Sequence, residues 1–179
     1  QEINDGNKPA VLFTTPNGTV TSDSTFYAVF ATASGNEDRH EIVLNANNIQ
    51  SMGGGSGYQS ADFTYSDITF GRSEAYINGG GIQIRAGQNN CVYNKTALSG
   101  SITAITITPK TNSCILTVGT SQKPTDNSQT VSNTTTYNFD PTNGYRYFSI
   151  SATSSYCVVG EIAITYTATS YSDYVTTCC

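Results

Sequence analysis

"YFSISATSSYCVVGEIAITY", residues 147–166, decides the fold class. Phe148 and Ile150 fall on one face of an extended chain, and the serines between and after them fall on the other. Beyond a Ser-rich turn, Ile162 and Ile164 repeat the same period of two. Successive side chains of a strand point to opposite faces of a sheet, so this alternation predicts two strands with one wet face each.

The same signal continues along the rest of the chain, and turn-forming residues separate the segments. Further strands are predicted at 10–14, 26–33, 41–46, 61–70, 82–86, 114–118 and in "SGSITAITITP", 99–109. In the last of these the apolar phase changes between Ala104 and Ile105, which either burial of both faces or a β-bulge would explain. Many short strands with no helical period predict an all-β protein, an antiparallel two-sheet β-sandwich most simply built as a jelly roll.

Composition agrees with strands and bounds the organisation. Charged residues make up 12% of the 179-residue chain, about half the usual share, and the apolar residues lean to β-branched types and twelve tyrosines. We predict a single β-sandwich domain over residues 1–168, with 169–179 as an exit segment or tail. The polar stretch 121–136 is predicted to be a long loop.

Charge and hydropathy exclude two classes of partner. The net charge is −5 and the eight basic residues are scattered, so the basic cluster that nucleic-acid binding needs is missing. No apolar run approaches the roughly 18 residues of a membrane span. We therefore predict no nucleic-acid partner and no membrane span.

The five cysteines lack metal-binding spacing. There is no CxxC pair and only one histidine, His40, so no zinc set is predicted. Cys91, Cys114 and Cys157 lie at predicted strand ends and are disulfide candidates, but the sequence does not choose a pair among them. The adjacent cysteines at the C-terminus suggest partners in attached domains or in another chain.

No residue pattern points to catalysis. His40 sits in the charged run 37–41, which we interpret as a solvated loop, and Ser56 lacks the context of a nucleophile elbow. No pair of carboxylates stands out, so a hydrolase is kept only as a second alternative. No cofactor is predicted, although the oxygen-rich segment 140–143 leaves a structural calcium ion open.

The candidate ligand-binding residues are tyrosines beside arginines. The glycines 79–81 run into a strand and not into a helix, so they predict a tight hairpin or bulge and not a phosphate loop. Tyr76 and Arg85 flank them, and Tyr145 with Arg146 offers a similar pair. Exposed rings beside polar donors can stack on sugar faces and bind hydroxyl groups, so these four residues are our candidates.

A set of motifs over roughly residues 60–167 resembles a module common in secreted and surface proteins of Bacteroidetes and other gut bacteria. The motifs are an Asn-x-Thr at 94–96, a Gly-x-Ile-Thr-x-Ile strand at 100–105, "VGTSQKP" at 118–124, a Tyr-Phe-x-Ile strand at 147–150, and "IAITY" at 162–166.

The resemblance implies a location and an architecture and carries over no catalytic residue. Such modules look like carbohydrate-binding jelly rolls and accompany nucleases, Ig-like repeats and adhesin-like chains. We therefore expect a non-catalytic accessory module, secreted or at the cell surface, that binds a glycan or another surface ligand. The alternative is a structural or adhesin module that assembles through strand edges or other intermolecular contacts.

Overall fold

The computed structural model describes residues 37–50, 57–78 and 80–169, which lie in one compact unit, Glu37–Thr169. The strands predicted at 10–14 and 26–33, and the predicted tail beyond residue 169, lie outside the described residues. The strands are β1 (Glu37–Asn45), β2 (Gln59–Tyr65), β3 (Ile68–Asn78), β4 (Gly81–Arg85), β5 (Cys91–Asn94), β6 (Ser101–Thr111), β7 (Cys114–Gly119), β8 (Ser128–Val131), β9 (Thr135–Asn138), β10 (Tyr147–Ala152) and β11 (Tyr156–Thr169). A short helix α1 (Ala46–Gln50) follows β1, and a 3-10 turn (Pro141–Asn143) precedes β10.

The described strands are joined by antiparallel ladders, which confirms the all-β antiparallel prediction. The ladder order is β8-β7-β10-β5-β3-β4-β11-β6-β9, with β1 added to β11 and β2 added to β3. Strands that are neighbours in this order are often far apart in sequence, so most of the fold depends on non-local pairing.

Strand β3 changes partner along its length. Residues 70–73 pair with β5, whereas 75–78 pair with β4. Glu74, between the two stretches, has a positive φ of 49°, and the register with β2 shifts at the same place. An extra residue with left-handed backbone is the mark of a β-bulge, and a bulge bends the strand and lets it serve two sets of neighbours.

A bulge also explains the phase change in β6. Ile102 is opposite Tyr166 and Ala104 is opposite Thr165, so Thr103 has no partner in the ladder with β11. The extra residue returns Ile105 to the face of Ile102, and both are fully buried. Of the two explanations that the sequence allows, the structure has the bulge.

Three local predictions were wrong. The segment 61–70 is not one strand but the β2–β3 hairpin, because Ser66 and Asp67 both have positive φ and form a two-residue turn. The predicted loop 121–136 contains β8 and the start of β9. His40 is exposed as expected but lies within β1, where its ring stacks on Tyr166 at a centroid distance of 5.2 Å.

One hydrophobic cluster lines the inner face of these strands. Its members alternate along the strands except where the bulges in β3 and β6 interrupt the period. The largest fully buried side chains are Phe70, Phe148, Leu44, Ile49, Ile82, Ile84, Leu98, Ile102, Ile105, Ile107, Leu116 and Ile150. Within the described part of the chain, no helix has the length and apolarity that crossing a membrane requires.

Candidate functional site

The β3–β4 hairpin brings Tyr76 and Arg85 onto one surface. The hairpin is tight, as predicted: Asn78 pairs with Gly81, and Gly80 has a φ of 75° that favours glycine. Lys110 stabilises this turn, because its Nζ donates a hydrogen bond to the Gly80 carbonyl oxygen at 3.0 Å. The core-facing positions of the hairpin are Ala75, Ile77, Ile82 and Ile84. The side chains between them, Tyr76 and Gln83, point to the opposite face.

Tyr58 completes this surface. Its ring meets Tyr76 edge-on, with centroids 4.7 Å apart and planes at 87°. The Arg85 guanidinium lies over the Tyr58 ring, 5.5 Å from the centroid. Gln83, opposite Tyr76 in the ladder, donates from Nε2 to the Tyr58 hydroxyl at 2.5 Å. We call these four residues the Tyr58 cluster.

The residues of the Tyr58 cluster differ in exposure to solvent, and therefore in what they can contact. Gln83 is only 7% exposed, so its carboxamide serves to hold Tyr58 in place. Tyr58 and Tyr76 are half-buried and Arg85 is exposed, which leaves ring surface beside a fork of N–H donors that solvent can reach. An aromatic ring next to planar donors is the chemistry that suits stacking on a sugar face while its hydroxyls are bound.

The sequence pattern alone does not select Tyr58 or Gln83. Gln83 sits in a predicted strand on the face opposite Ile82 and Ile84, as alternation predicts, but that position is buried and not wet. Tyr58 precedes β2 and reaches Gln83 across 25 residues of sequence, a contact that no local pattern encodes. It depends on how β2 and β4 flank β3.

The second predicted pair, Tyr145 and Arg146, lies elsewhere. The Asn94 side chain contacts the backbone of Arg146, and Asn94 is opposite Phe70, six residues before Tyr76 along β3. Phe70 and Tyr76 lie on opposite sides of the Glu74 bulge, where β3 pairs with different strands. The four residues therefore do not form one site.

Arg146 and Tyr145 differ in their availability. Arg146 donates from Nε to the Leu98 carbonyl at 2.5 Å, so its guanidinium ties down the loop before β6. Tyr145 packs edge-on against Phe139 at 6.1 Å and also lines a cleft of about 360 Å³ under the β7–β8 loop. This cleft is polar and charged, because its other lining residues include Lys123, Asp126 and Asn127.

Lys123 is held at the base of that loop. Its Nζ lies over the Tyr93 ring, 4.6 Å from the centroid, and contacts Ser73 Oγ at 3.5 Å. Burial raises the pKa of the nearby Cys91 thiol, and the positive charge of Lys123 opposes that rise. A cation engaged by a ring in this way is a structural tether more than a ligand-binding group.

The oxygen-rich segment 140–143 forms the 3-10 turn. Asp140 Oδ1 accepts from the Thr142 hydroxyl at 2.7 Å and from the Thr142 backbone N–H at 2.9 Å. These hydrogen bonds lower the pKa of Asp140 below its ordinary value. Among the described residues, no group of three or more His, Cys, Asp or Glu side chains is placed to hold a metal ion, and a calcium ion here stays a prediction.

Cys91, Cys114 and Cys157 are buried, free thiols in the structure. Burial raises the pKa of Cys114 to about 11. Burial, with the neighbouring Cys114 thiol, raises the pKa of Cys157 to about 12. None of the three is an activated nucleophile, since such a thiol needs a lowered pKa and some exposure.

Comparison with known proteins returned no relative. No protein-family model, no curated protein sequence and no solved structure matches this chain.

Proposed function

We propose that this chain is a non-catalytic accessory module, secreted or at the cell surface, that binds glycans through the Tyr58 cluster. The observation that carries the proposal is the arrangement of Tyr58, Tyr76 and Arg85 on the outer face of the β3–β4 hairpin, with Gln83 fixing the Tyr58 hydroxyl. Support for the location comes from the motif resemblance to Bacteroidetes surface modules.

The architecture we propose with this function is a two-sheet sandwich of jelly-roll type. Strands β8, β7, β10, β5, β3 and β2 would form one sheet and β9, β6, β11 and β1 the other, with β4 joining β3 of the first to β11 of the second. The bulge at Glu74 supports this arrangement, because it is where β3 leaves β5 for β4. The Tyr58 cluster would then lie at the corner where the sheets meet.

A glycan-array screen followed by calorimetry tests the proposal. Run with calcium and with a chelator, the array should identify a ligand whose dissociation constant lies between about micromolar and millimolar, as is typical of shallow sites. Tyr76→Ala and Arg85→Ala should each weaken binding at least tenfold with an unchanged circular dichroism spectrum. Tyr58→Phe keeps the ring but removes the hydroxyl that Gln83 holds, so it should give a smaller loss.

Tyr145→Ala is the matched control, since it removes a half-buried tyrosine that lines a different surface, the cleft under the β7–β8 loop. It should bind as the parent does. If Tyr145→Ala alone abolished binding, the cleft under the β7–β8 loop would be the site and the Tyr58 cluster would be packing. No binding across a broad array by a correctly folded protein would contradict glycan recognition.

The structural or adhesin alternative has a weaker basis in the described strands. At the ends of the ladder order, β8 and β9 have four residues each and carry mainly Ser, Thr, Gln and Asn, whereas β1 and β2, with nine and seven residues, each pair with a single strand among those described and are the longer edges. Short, polar edges such as β8 and β9 discourage strand addition, so β1 and β2 are the edges through which assembly would occur. Light scattering and non-reducing gels test this alternative: concentration-dependent or thiol-dependent assembly would favour it over a monomeric binding module. The hydrolase alternative would need a convergent pair of acids in a cleft, and the cleft under the β7–β8 loop is lined by a single acid of the described residues, Asp126.

A further inference from the structure

Two of the buried cysteines lie on facing parts of the core. Cys114 begins β7 and Cys157 is the second residue of β11; both are fully buried members of the same hydrophobic cluster. In the ladder order, β10, β5, β3 and β4 separate these two strands. No ladder joins β7 to β11, although the two strands contact each other, so packing and not strand pairing brings the two cysteines into one region of the core.

The contacts around the β10–β11 turn hold the two cysteines near each other. Cys114 is directly opposite Ala152 in the ladder of β7 with β10. The Cys157 thiol donates to the carbonyl of Ser151, the residue before Ala152, at 3.8 Å. Both cysteines therefore lie at the same end of β10.

Neighbouring residues fix the backbone on both sides of this pair. Asn112 Nδ2 donates to the Tyr156 carbonyl at 2.9 Å, which ties the start of β7 to the residue before Cys157. Thr153 donates to the Ser113 carbonyl from its hydroxyl at 2.9 Å and from its backbone N–H at 3.4 Å. Hydrogen bonds thus join the segment before Cys114 to both ends of the β10–β11 turn.

Cys91 contacts a different set of residues from Cys114 and Cys157. Its thiol contacts the Asn89 carbonyl at 3.5 Å in the turn before β5, and its partner in the β3 ladder is Ser73, beside Lys123. The geometry therefore distinguishes one pair among the three described cysteines.

We propose that Cys114 and Cys157 form an intramolecular disulfide that joins β7 to β11 when the chain folds in an oxidising compartment. With oxidised glutathione as oxidant, one cysteine thiolate attacks the glutathione disulfide and releases one glutathione thiolate. The second cysteine then attacks the mixed disulfide and releases the other. The new S–S bond thus replaces the glutathione S–S bond, and the two protein thiol protons pass to the two glutathione thiolates. This inference does not rest on glycan binding.

The bond should form before the core closes. Thiolate is the attacking species, and burial raises the pKa of both thiols, Cys114 to about 11 and Cys157 to about 12. At about pH 8, below the ordinary thiol pKa, the folded, reduced pair is therefore almost entirely protonated and shielded from oxidant. The unfolded chain, with ordinary thiols, reacts readily.

The test uses the full chain with Cys178→Ser and Cys179→Ser, so that three thiols remain. Trypsin then places them in separate peptides, residues 86–95, 111–146 and 147–179. After refolding from urea in reduced and oxidised glutathione, mass spectrometry should find 111–146 linked to 147–179. The thermal midpoint should rise by on the order of 10 °C relative to the reduced protein, because the bond closes a loop of roughly forty residues.

Two controls separate the bond from other effects of oxidation. Cys91→Ser in the same background should give the same linked peptide and the same midpoint shift, while Cys157→Ala should give neither. Should Cys157→Ala fail to fold, Cys114→Ala serves the same purpose. Three alkylatable thiols after oxidative refolding, or a bond that includes Cys91, would overturn the assignment. Equal oxidation rates for folded and unfolded protein would overturn the proposed order of events.

Discussion

Replacing Asn94 with aspartate exchanges one amide nitrogen for an oxygen at a fully buried side chain that makes three hydrogen bonds. Asn94 lies at the end of β5. Its Nδ2 donates to the carbonyls of Thr96 at 2.8 Å and Arg146 at 2.9 Å, and its Oδ1 accepts from the Phe148 N–H at 2.8 Å. The amide thus joins the loop before β6 to the start of β10.

The expected loss in the free energy of unfolding follows from the groups that the two carboxylate oxygens at position 94 would face. In Asn94→Asp the oxygen that meets Phe148 N–H is retained, but the new oxygen faces two carbonyl oxygens without a proton between them. A buried polar group left unpaired costs about 1–3 kcal/mol, and more when charged, so we expect a loss of about 3–5 kcal/mol near neutral pH. That is a large part of the ~5–15 kcal/mol by which a typical domain is stable.

The loss should depend on pH in a defined direction. Burial and the two carbonyls favour the protonated form of the introduced carboxyl, so folding raises its pKa above the unfolded value of about 3.9. Once protonated, this carboxyl can donate to one of the two carbonyls. Below about pH 4 the variant should therefore approach the parent, and stability should fall as the pH rises from there through the folded pKa.

Urea unfolding followed by circular dichroism at several values between about pH 4 and about pH 7.5 measures this difference, with the parent at each pH as reference. Asn133→Asp is the matched control, since Asn133 is exposed and also begins an Asn-x-Thr sequence; it should change little. A difference for Asn94→Asp below about 1 kcal/mol near neutral pH, or one that does not grow with pH, would refute the reasoning.

Three further predictions concern the backbone and the core. Replacing Ser66 and Asp67 with Asn-Gly should stabilise the protein by about 0.5–1 kcal/mol, because both positions have positive φ in a two-residue hairpin turn; urea unfolding measures it. Gly100→Ala should cost about 3 kcal/mol or more, because the added Cβ would lie 1.5 Å from the Thr167 carbonyl oxygen; soluble yield and thermal midpoint measure it. Phe148→Ala should cost about 3–5 kcal/mol through the cavity it leaves in the core; urea unfolding measures this too.

Each of the three has a contrary outcome. A destabilised Asn-Gly variant would show that the turn is not of the type inferred. A folded Gly100→Ala protein with parental stability would contradict the close approach of Gly100 to β11. A loss below about 1 kcal/mol for Phe148→Ala would mean that Phe148 is not part of a close-packed core.

Local pattern determined the class of structure. Alternation at Phe148 and Ile150, and again at Ile162 and Ile164, predicted strands that are found with those side chains fully buried. This succeeded because the period of two is set by the backbone of each strand and needs no partner. The triple glycine likewise predicted a hairpin, since left-handed backbone is a local requirement.

Local pattern failed where the same residues suit either of two structures. Ser66 and Asp67 lie inside a run that alternates well enough for a strand, and only the pairing of β2 with β3 makes them a turn. The change of phase in β6 could be double burial or a bulge, and the ladder with β11 decides between them. The polar edge strands β8 and β9 carry too few apolar residues for alternation to show.

What the sequence by itself determined is that this chain forms antiparallel strands, where many of the turns fall, and that tyrosines beside Arg85 and Arg146 could meet solvent. Only the tertiary structure decided that Tyr58 joins Tyr76 and Arg85, that Tyr145 lines a separate cleft, and that Cys114 and Cys157 lie at one end of β10. The physical reason is sequence separation. Strand period and turn backbone are properties of a few consecutive residues, whereas these contacts join segments that only the order of the ladders brings together.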